Sequence, residues 1–380
     1  MVSLAVIISL AALSLIALTY FVYPVWQLIF PGKPMDFTGE FTPPLVSVVF
    51  AAYNESSIIE AKIRSIYNTN YPIDKLSVWI GSDLSNDGTD EIIRNLQSEF
   101  PQLNLHVNDV RSGKSATINS LIEQTTAEVI IATDANILFK ETTIEELVRP
   151  IALQKATAVA GTLAYEAGGV INSTATNEKV YLSLENAIRR AESRKHGICF
   201  GMEGGLYSMR KSFWKPIPPN TFMEDFFQTV QLIASDQKVL FNEAAIGLED
   251  VSISLREEYK RKIRISIGNW QNLIRFYPLL FKHPYPFGIL FLMHKVLRWL
   301  TPHLYLIALI AGLFTSQWMI ISIVLIGLPV SQFILMSFGL ATPLAYFYVM
   351  NTALFVGFLR YLKGVKSSVW QPTKRNQHES

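Results

Sequence analysis

The sequence predicts an α/β fold with a doubly wound, mainly parallel sheet, flanked by N-terminal and C-terminal transmembrane helices and an interfacial helix. Two observations support this fold class. Short β-branched runs alternate with helical patterns in the middle of the chain, whereas both ends are strongly apolar. In addition, only 17% of the 380 residues are charged, and a soluble domain usually carries about 25%.

The alternation lies between residues 43 and 151. The predicted strands are Val46–Ala51, Leu76–Ile80, Leu103–Val107 and Glu128–Ala132. The predicted helices between them are Ser56–Asn70, Thr89–Phe100 and Ser115–Thr125. Alternation on this scale implies parallel strand pairing, and such sheets bind ligands at the carboxyl ends of their strands.

The N-terminal residues 1–32 predict a transmembrane anchor. Val2–Phe30 is almost wholly apolar and uncharged, and about 20 such residues span a bilayer. The first basic residue, Lys33, follows this stretch, which favours an anchor over a cleaved signal peptide and places the next domain in the cytosol. We therefore expect a multi-pass protein of the cell (inner) membrane with a cytosolic catalytic domain.

The C-terminal third predicts further membrane segments. Residues 284–300 mix apolar, basic and aromatic side chains, which is typical of an interfacial amphipathic helix. Residues 302–361 hold three apolar stretches and predict C-terminal transmembrane helices, followed by a basic tail at 362–380. The basic tail favours a cytosolic C-terminus, but three spans after an outside N-terminus would place it outside. The number of spans and the side of the C-terminus therefore stay open.

Composition excludes several classes of site. A net charge of +2 does not favour nucleic-acid binding. One cysteine, Cys199, and histidines without helical i,i+4 pairing exclude a disulfide framework and a thiolate or helical zinc site, so any metal is expected on oxygen ligands. Gly113-Lys114-Ser115 is not a phosphate-binding P-loop, because Asn108 stands where that motif needs glycine.

Polar residues follow three of the predicted strands. Tyr53-Asn54-Glu55 follows the first strand, Asp83 opens the loop after the second, and Asp134-Ala135-Asn136 follows the fourth. Each group alone would be an ordinary set of loop and helix-cap residues. Their recurrence along one sheet edge favours a ligand site, in which a nucleobase could stack on Tyr53.

These residues resemble glycosyltransferase family 2, in particular its membrane-bound, polysaccharide-synthase-like members, from Pro44 to Phe276. Four ordered blocks carry the resemblance. They are Val46 to Glu55, Ser82 to Thr89 with Leu84 where glycine is usual, Arg111-Ser112-Gly113-Lys114 followed by Asn119, and Asp134-Ala135-Asn136 at the D-x-D position.

The resemblance implies an inverting GT-A domain over residues 43–276, a nucleotide-diphosphate sugar donor (a UDP-sugar in the first place) and Mg²⁺ or Mn²⁺ as cofactor. The implied metal ligands are Asp134 and Asn136. Asn136 replaces the usual second aspartate, and its amide oxygen can coordinate the metal without neutralising its charge. The implied donor-binding residues are Ala51, Tyr53, Glu55, Asp83, Lys114, Asp134, Arg261 and Arg264.

The resemblance also places the acceptor side and the base. Acceptor-side residues would be Glu203, Gly204, Gly205 and Glu224, for which an ordinary turn before a strand is the alternative at 203–205. Asp225 would be the general base, and a helix N-terminal acid is its alternative. Arg261 and Arg264 stand where relatives carry a Q-x-x-R-W motif, with Ile265 in place of tryptophan. That departure argues against a processive synthase of the cellulose, chitin or hyaluronan kind.

The predicted function is transfer of a sugar to a growing polysaccharide or glycan acceptor. The alternative is transfer of one sugar to a polyprenyl phosphate or other lipid acceptor, and a non-catalytic membrane scaffold is a third hypothesis. Expected partners are the nucleotide-sugar donor, a saccharide or lipid-linked acceptor, the lipid bilayer, and a second copy of the chain or polysaccharide-export proteins. The sugar, the linkage and processivity depend on pocket shape and are not predicted.

Overall fold

A computed structural model describes residues 4–165, 173–202, 205–249, 255–314, 319–337 and 342–365. The chain divides into two compact units. The sheet unit comprises Gly32–Gly169, Arg189–Ile253 and Val365–Ser380, and the helical unit comprises Met1–Pro31, Val170–Ile188 and Ser254–Gly364. Residues 254–276, which the sequence places in the transferase domain, thus group with the terminal helices. The predicted domain boundaries remain predictions.

The sheet unit is built on one mixed sheet of eight strands within the described residues. The strands are β1 Val46–Ala52, β2 Leu76–Ser82, β3 Leu103–Val107, β4 Val129–Thr133, β5 Leu138–Phe139, β6 Ala158–Tyr165, β7 Leu206–Arg210 and β8 Val239–Glu249. Their order is β3-β2-β1-β4-β7-β6-β8-β5. Every residue of β1 is buried, as expected for a central parallel strand covered on both faces.

The predicted parallel pairing of strands is found in part of this sheet. Strands β3, β2, β1 and β4 pair in parallel, and β6 pairs in parallel with β8. Strand β7, however, is antiparallel to both β4 and β6, and β5 is antiparallel to β8. The α/β class is confirmed, and the sheet is mixed. Among the described residues four strand pairings are parallel and three are antiparallel, because β7 runs opposite to β4 and β6, and β5 runs opposite to β8.

The helices of both units, in chain order, have the following bounds. They are α1 Leu4–Ile29, α2 Ile59–Tyr67, α3 Thr89–Leu96, α4 Lys114–Gln124, α5 Thr143–Ala152, α6 Ser173–His196, α7 Glu224–Ala234, α8 Leu255–Lys282, α9 Leu297–Gly312, α10 Met319–Ser337 and α11 Pro343–Leu362. Short helical turns connect α8 to α9 at Pro284–Gly288, Ile289–Phe291 and Leu292–Val296. Single 3₁₀ turns occupy Ile73–Lys75 and Lys211–Phe213.

Helices of the helical unit approach one another through small side chains. The Ser9 hydroxyl of α1 donates to the Ala308 carbonyl of α9 at 2.7 Å. On α11, a Cβ added at Gly357 would lie 2.3 Å from the Ser266 side chain of α8. Small residues and hydroxyl-to-carbonyl hydrogen bonds of this kind are typical of helices that pack within membranes.

One helix among the described residues, α1, is long and apolar enough to cross a bilayer. The predicted C-terminal spans at 302–361 and the interfacial position of residues 284–300 remain predictions. Within the latter segment, the structure turns His294 and Arg298 inward, where both contact the buried carboxylate of Glu185 on α6. Most of the basic tail, residues 366–380, lies outside the described residues.

Candidate active site

The carboxyl end of β4 lies beside the start of β7. Thr133 of β4 pairs with Leu206 of β7, and the Thr133 hydroxyl donates to the Gly205 carbonyl at 2.7 Å. The proposed metal motif, which follows Thr133, therefore adjoins the proposed acceptor-side loop at Gly205. Glu203 and Gly204 of that loop lie outside the described residues.

Asp83, at the end of β2, organises the loop that leads into α4. Its fully buried carboxylate accepts hydrogen bonds from Asn108 Nδ2 at 2.9 Å and from the Ser112 amide at 2.7 Å. It also accepts from the Gly113 amide at 3.2 Å and from Arg111 Nε at 3.1 Å. Gly113 has φ +81°, which glycine adopts without strain. Asp83 thus fixes the backbone just before Lys114.

Tyr53 lies beside this loop, after β1. The guanidinium carbon of Arg111 is 3.3 Å from the centre of the Tyr53 ring, a close cation–π contact. Arg111, which lies two residues before Gly113, is not among the donor-binding residues expected from the sequence. The structure therefore shows a stacked Tyr53–Arg111 pair at the place where the resemblance implies base binding.

The rest of the loop after β1 is tied to the loop after β2. The Glu55 amide donates to the Thr89 hydroxyl at 2.9 Å, and the Asn86 amide donates to the Asn54 side chain at 3.0 Å. Ala51, near the end of β1, is buried. The two strand ends predicted to bind the donor are thus held against each other.

Lys114 brings together residues from three separate sequence blocks. Its ammonium lies 2.6 Å from the Asp134 carboxylate and 2.5 Å from the Glu224 carboxylate. Burial alone would lower the pKa of Lys114, but the two carboxylates outweigh it and raise the pKa. The ammonium therefore stays charged between a proposed metal ligand and a proposed acceptor-side residue.

Helix α4 also positions the segment that leads to α7. The Ser115 hydroxyl donates to the Thr221 carbonyl at 3.0 Å. The Asn119 side chain donates to the Ile217 carbonyl at 2.9 Å and accepts from the Ile217 amide at 3.0 Å. Met223 then turns the chain with φ +57°, and α7 begins at Glu224. One helix thus carries Lys114 and orients the segment that leads to the acid pair Glu224 and Asp225.

Asp225 is a buried carboxylate in the first turn of α7. One oxygen accepts from the Phe226 amide at 2.7 Å. Burial, followed by the adjacent Glu224 carboxylate, raises the pKa of Asp225 to about 7, although the Lys114 ammonium opposes the shift. Asp225 does occupy a helix N-terminus, as its alternative interpretation expects. A carboxyl pKa near neutrality is nevertheless what a general base at physiological pH requires.

The oxygen ligands that Asp134 and Asn136 offer fit a divalent metal ion that is bound mainly by substrate phosphates and water. The Asn136 amide nitrogen, a donor that cannot ligate a cation, is buried without a hydrogen-bond partner among the described residues, so this residue would bind a metal through its side-chain oxygen. Asp134 is partly exposed and supplies a carboxylate. The described residues contain no cluster of three or more His, Cys, Asp or Glu side chains suited to a metal. Mg²⁺ commonly binds through one or two protein oxygens, substrate phosphates and water.

Arg261 and Arg264, the two remaining donor-binding predictions, lie on α8 in the helical unit. Arg261 is 3.5 Å from the buried Glu258 carboxylate of the same helix. Their contact with the donor remains a prediction.

The sequence and the structure of this chain are similar to those of known proteins. Residues 47–215 match the model of "Glycosyl transferase family 2". The chain is 34% identical over 95 residues to a beta-monoglucosyldiacylglycerol synthase of Trichormus variabilis, covering 24% of this chain and 20% of that protein. It is 24% identical over 241 residues to a poly-beta-1,6-N-acetyl-D-glucosamine synthase of Staphylococcus epidermidis, covering 61% and 57% respectively.

A solved structure extends the likeness over most of the fold. Mannosyltransferase PcManGT from Pyrobaculum calidifontis, determined in complex with GDP-Man and Mn²⁺, aligns with a TM-score of 0.68 at 21% identity. The alignment covers 93% of this chain and 99% of that one. At this identity the likeness establishes the fold, and the predicted glycosyltransferase fold of the sheet unit is confirmed.

Proposed function

We propose that this chain, whose residues 47–215 match the model of glycosyl transferase family 2, is a glycosyltransferase that performs metal-dependent, inverting sugar transfer. The donor is a nucleotide-diphosphate sugar, and the acceptor is a hydroxyl of a growing saccharide. The observation that carries the proposal is the Lys114 ammonium, which joins Asp134 to Glu224 beside the buried base Asp225.

In this proposal Asp225 removes the proton of the acceptor hydroxyl during attack. The acceptor oxygen forms a bond to the anomeric carbon as the bond from that carbon to the diphosphate oxygen breaks. The nucleoside diphosphate leaves with the electron pair, and the proton remains on Asp225. A positioned carboxylate of this kind contributes about 10²–10⁴-fold to the rate.

The leaving diphosphate needs positive charge around it. Asp134 and Asn136 would hold Mg²⁺ or Mn²⁺ against its oxygens, and the ion when bound would neutralise the charge that develops on them. Lys114 supplies a second cation within 2.6 Å of Asp134. Its charge persists at neutral pH because its two carboxylate partners raise its pKa. Lys114 therefore both orients Asp134 and stabilises the leaving group electrostatically.

The nucleotide is proposed as uridine in the first place, with guanosine as the alternative. The structurally similar mannosyltransferase was determined with GDP-Man and Mn²⁺, which supports testing both. Asp83 is engaged by four groups of the 108–113 segment. We therefore assign to Asp83 the shaping of the base pocket and to the Tyr53–Arg111 pair the stacking surface.

A lipid acceptor is the second candidate. The relative with 34% identity is named a beta-monoglucosyldiacylglycerol synthase, and α1 is long and apolar enough to cross a bilayer. In this version the same base and cation act on a lipid headgroup hydroxyl or phosphate, and a single sugar is added.

The test is transfer by membranes that contain the full chain. Labelled UDP- and GDP-sugars are supplied with Mn²⁺ or Mg²⁺, and label is then counted in polymer and in lipid extract. We expect one donor to be used and a chelator to abolish transfer. Label in polymer supports the saccharide acceptor, and label in the lipid fraction supports the second candidate. The absence of turnover with every donor, while correctly folded protein is present, would contradict the proposed function.

A further inference from the structure

Lys62 is a lysine in the apolar core of the sheet unit. It lies on α2 among Ile59, Ile63 and Ile66, all of which are buried, and its own side chain is 0% exposed. An unpaired buried ammonium is expensive, and a methionine of similar length would fill this space without that cost. Burial accordingly lowers the pKa of Lys62 well below its usual value, while the charge of Asp134 opposes the shift.

The side-chain nitrogen of Lys62 contacts both ends of the proposed metal motif. It donates to the Thr133 hydroxyl at 3.0 Å and to the Ile137 carbonyl, and these two residues bracket Asp134, Ala135 and Asn136. The turn between them is closed by the Ile137 amide, which donates to the Asp134 carbonyl at 3.2 Å. The Lys62 nitrogen also lies 4.0 Å from the centre of the Phe139 ring.

The same contact reaches the acceptor side. Because the Thr133 hydroxyl donates its single proton to the Gly205 carbonyl at 2.7 Å, it accepts from Lys62. The hydrogen-bonded series Lys62–Thr133–Gly205 therefore joins the Asp134–Asn136 turn to Gly205, the residue directly before β7. Both hydrogen bonds of the Lys62 nitrogen thus go to the residues that flank the turn, Thr133 and Ile137.

We propose that Lys62 is a positioning residue that holds the Asp134–Asn136 turn in the geometry required for metal–diphosphate binding. The expected effect on metal–diphosphate binding rests on the proposed function. The support that Lys62 gives to the turn does not depend on it. Loss of a residue that orients the ligands of a metal site typically weakens metal binding or activity about 10–100-fold, and Lys62 would act in this way through the two residues that flank Asp134 and Asn136.

The experiment compares Lys62→Met with Ile66→Val in the full chain. Ile66→Val loosens the same buried face of α2 without touching the turn, and it controls for a general loss of stability. Two readouts are measured for each protein. One is the Mn²⁺ concentration at half-saturation for binding of GDP and of UDP, and the other is amide hydrogen exchange in peptides that cover residues 133–139.

We expect Lys62→Met to raise the half-saturating Mn²⁺ concentration about 10–100-fold and to speed exchange of the Ile137 amide, with an unchanged or higher melting temperature. Ile66→Val should lower the melting temperature and leave both readouts unchanged. If Lys62→Met leaves exchange and Mn²⁺-dependent binding as in the wild type, the inference is overturned. Wild-type protein that binds neither nucleotide with Mn²⁺ would contradict the proposed function instead, and the exchange comparison would still decide whether Lys62 supports the turn.

Discussion

Asp225 and Glu224 are adjacent carboxylates with different surroundings. Asp225 is buried, and its pKa rises to about 7 through burial and the neighbouring Glu224. Glu224 is 2.5 Å from the Lys114 ammonium. Asp225 can therefore exchange a proton near neutral pH, whereas Glu224 is held in an ion pair with Lys114. This difference supports Asp225, rather than Glu224, as the base.

Leu84 is a residue at which the chain is strained. It has φ +65° in the loop after β2, at the position where glycine is usual in the family resemblance. A left-handed conformation costs a non-glycine residue about 1–2 kcal/mol, and glycine loses about 0.5–1 kcal/mol more backbone entropy on folding. We expect Leu84→Gly to raise the free energy of unfolding by about 0.5–1 kcal/mol, measured by urea denaturation.

Leu45 provides a matched control for this substitution. It is similarly exposed, 40% against 45% for Leu84, but does not have a positive φ. Leu45→Gly should therefore lower the free energy of unfolding. Equal destabilisation by both substitutions would show that the conformation of Leu84 stores no strain.

Asp134 is the carboxylate on which the proposed metal depends. Asn136 brings no charge, and the described residues offer no richer cluster of metal ligands. We expect Asp134→Ala to lose the Mn²⁺-dependent part of donor binding, measured by titration of nucleotide with and without a chelator. Wild-type affinity in this variant, still sensitive to the chelator, would place the metal elsewhere.

At the scale of elements, α4 contacts more than one part of the proposed site. It carries Lys114 at its start, and through Ser115 and Asn119 it holds the segment before α7. The pKa of Asp225 thus depends on two charges set by α4 and α7. Lys114 lowers it and Glu224 raises it.

These opposite influences predict opposite shifts in the pH dependence of kcat/KM. In the wild type, kcat/KM should fall as the pH drops through about 7, because Asp225 must lose its proton to act as base. Lys114→Met removes a cation, so the limb should move to higher pH, and Glu224→Gln removes an anion, so it should move to lower pH. The measurement is kcat/KM between pH 5 and 9 (about four units around the expected limb). Shifts in the same direction for both variants would contradict the assignment of the limb to Asp225.

The sequence predicts the first half of the sheet closely and the second half poorly. Strand β3 has the predicted bounds, Leu103–Val107, because local alternation and flanking turns define it. The antiparallel β7 is not predictable in this way, since its direction depends on pairing with β4 far away in the sequence. For the site, Asp134 and Asp225 follow from motifs. Lys62 carries a weaker signal, a lysine on the apolar face of a helix, and only the structure shows that it contacts Thr133.

At the scale of the whole molecule, the two units have different physical characters. The sheet unit carries the acidic site, and the helical unit contains α1 and helices that meet through Ser9, Ser266 and Gly357. We expect the protein to stay in the membrane pellet after alkaline carbonate washing, because α1 is long enough to cross a bilayer. Complete release into the supernatant would contradict the membrane proposal.

The side of the C-terminus can be determined in the same preparation. Cys199 is the single cysteine of the chain and is buried, so a cysteine introduced at Ser380 can be labelled selectively. We expect a membrane-impermeant maleimide to label Ser380→Cys from the cytosolic side, as the basic tail predicts. Labelling from the opposite side would instead support three C-terminal spans after an outside N-terminus.

The central claim is that Asp225 is the base of a sugar transfer, and Asp225→Asn tests it most directly. The substitution keeps the shape of the side chain but removes its ability to accept the proton. Transfer of labelled sugar is measured at pH 8 beside Mn²⁺-dependent binding of the same donor. We predict a fall in kcat of at least about 10²-fold with donor affinity within a few-fold of the wild type. Wild-type turnover by Asp225→Asn would contradict the account.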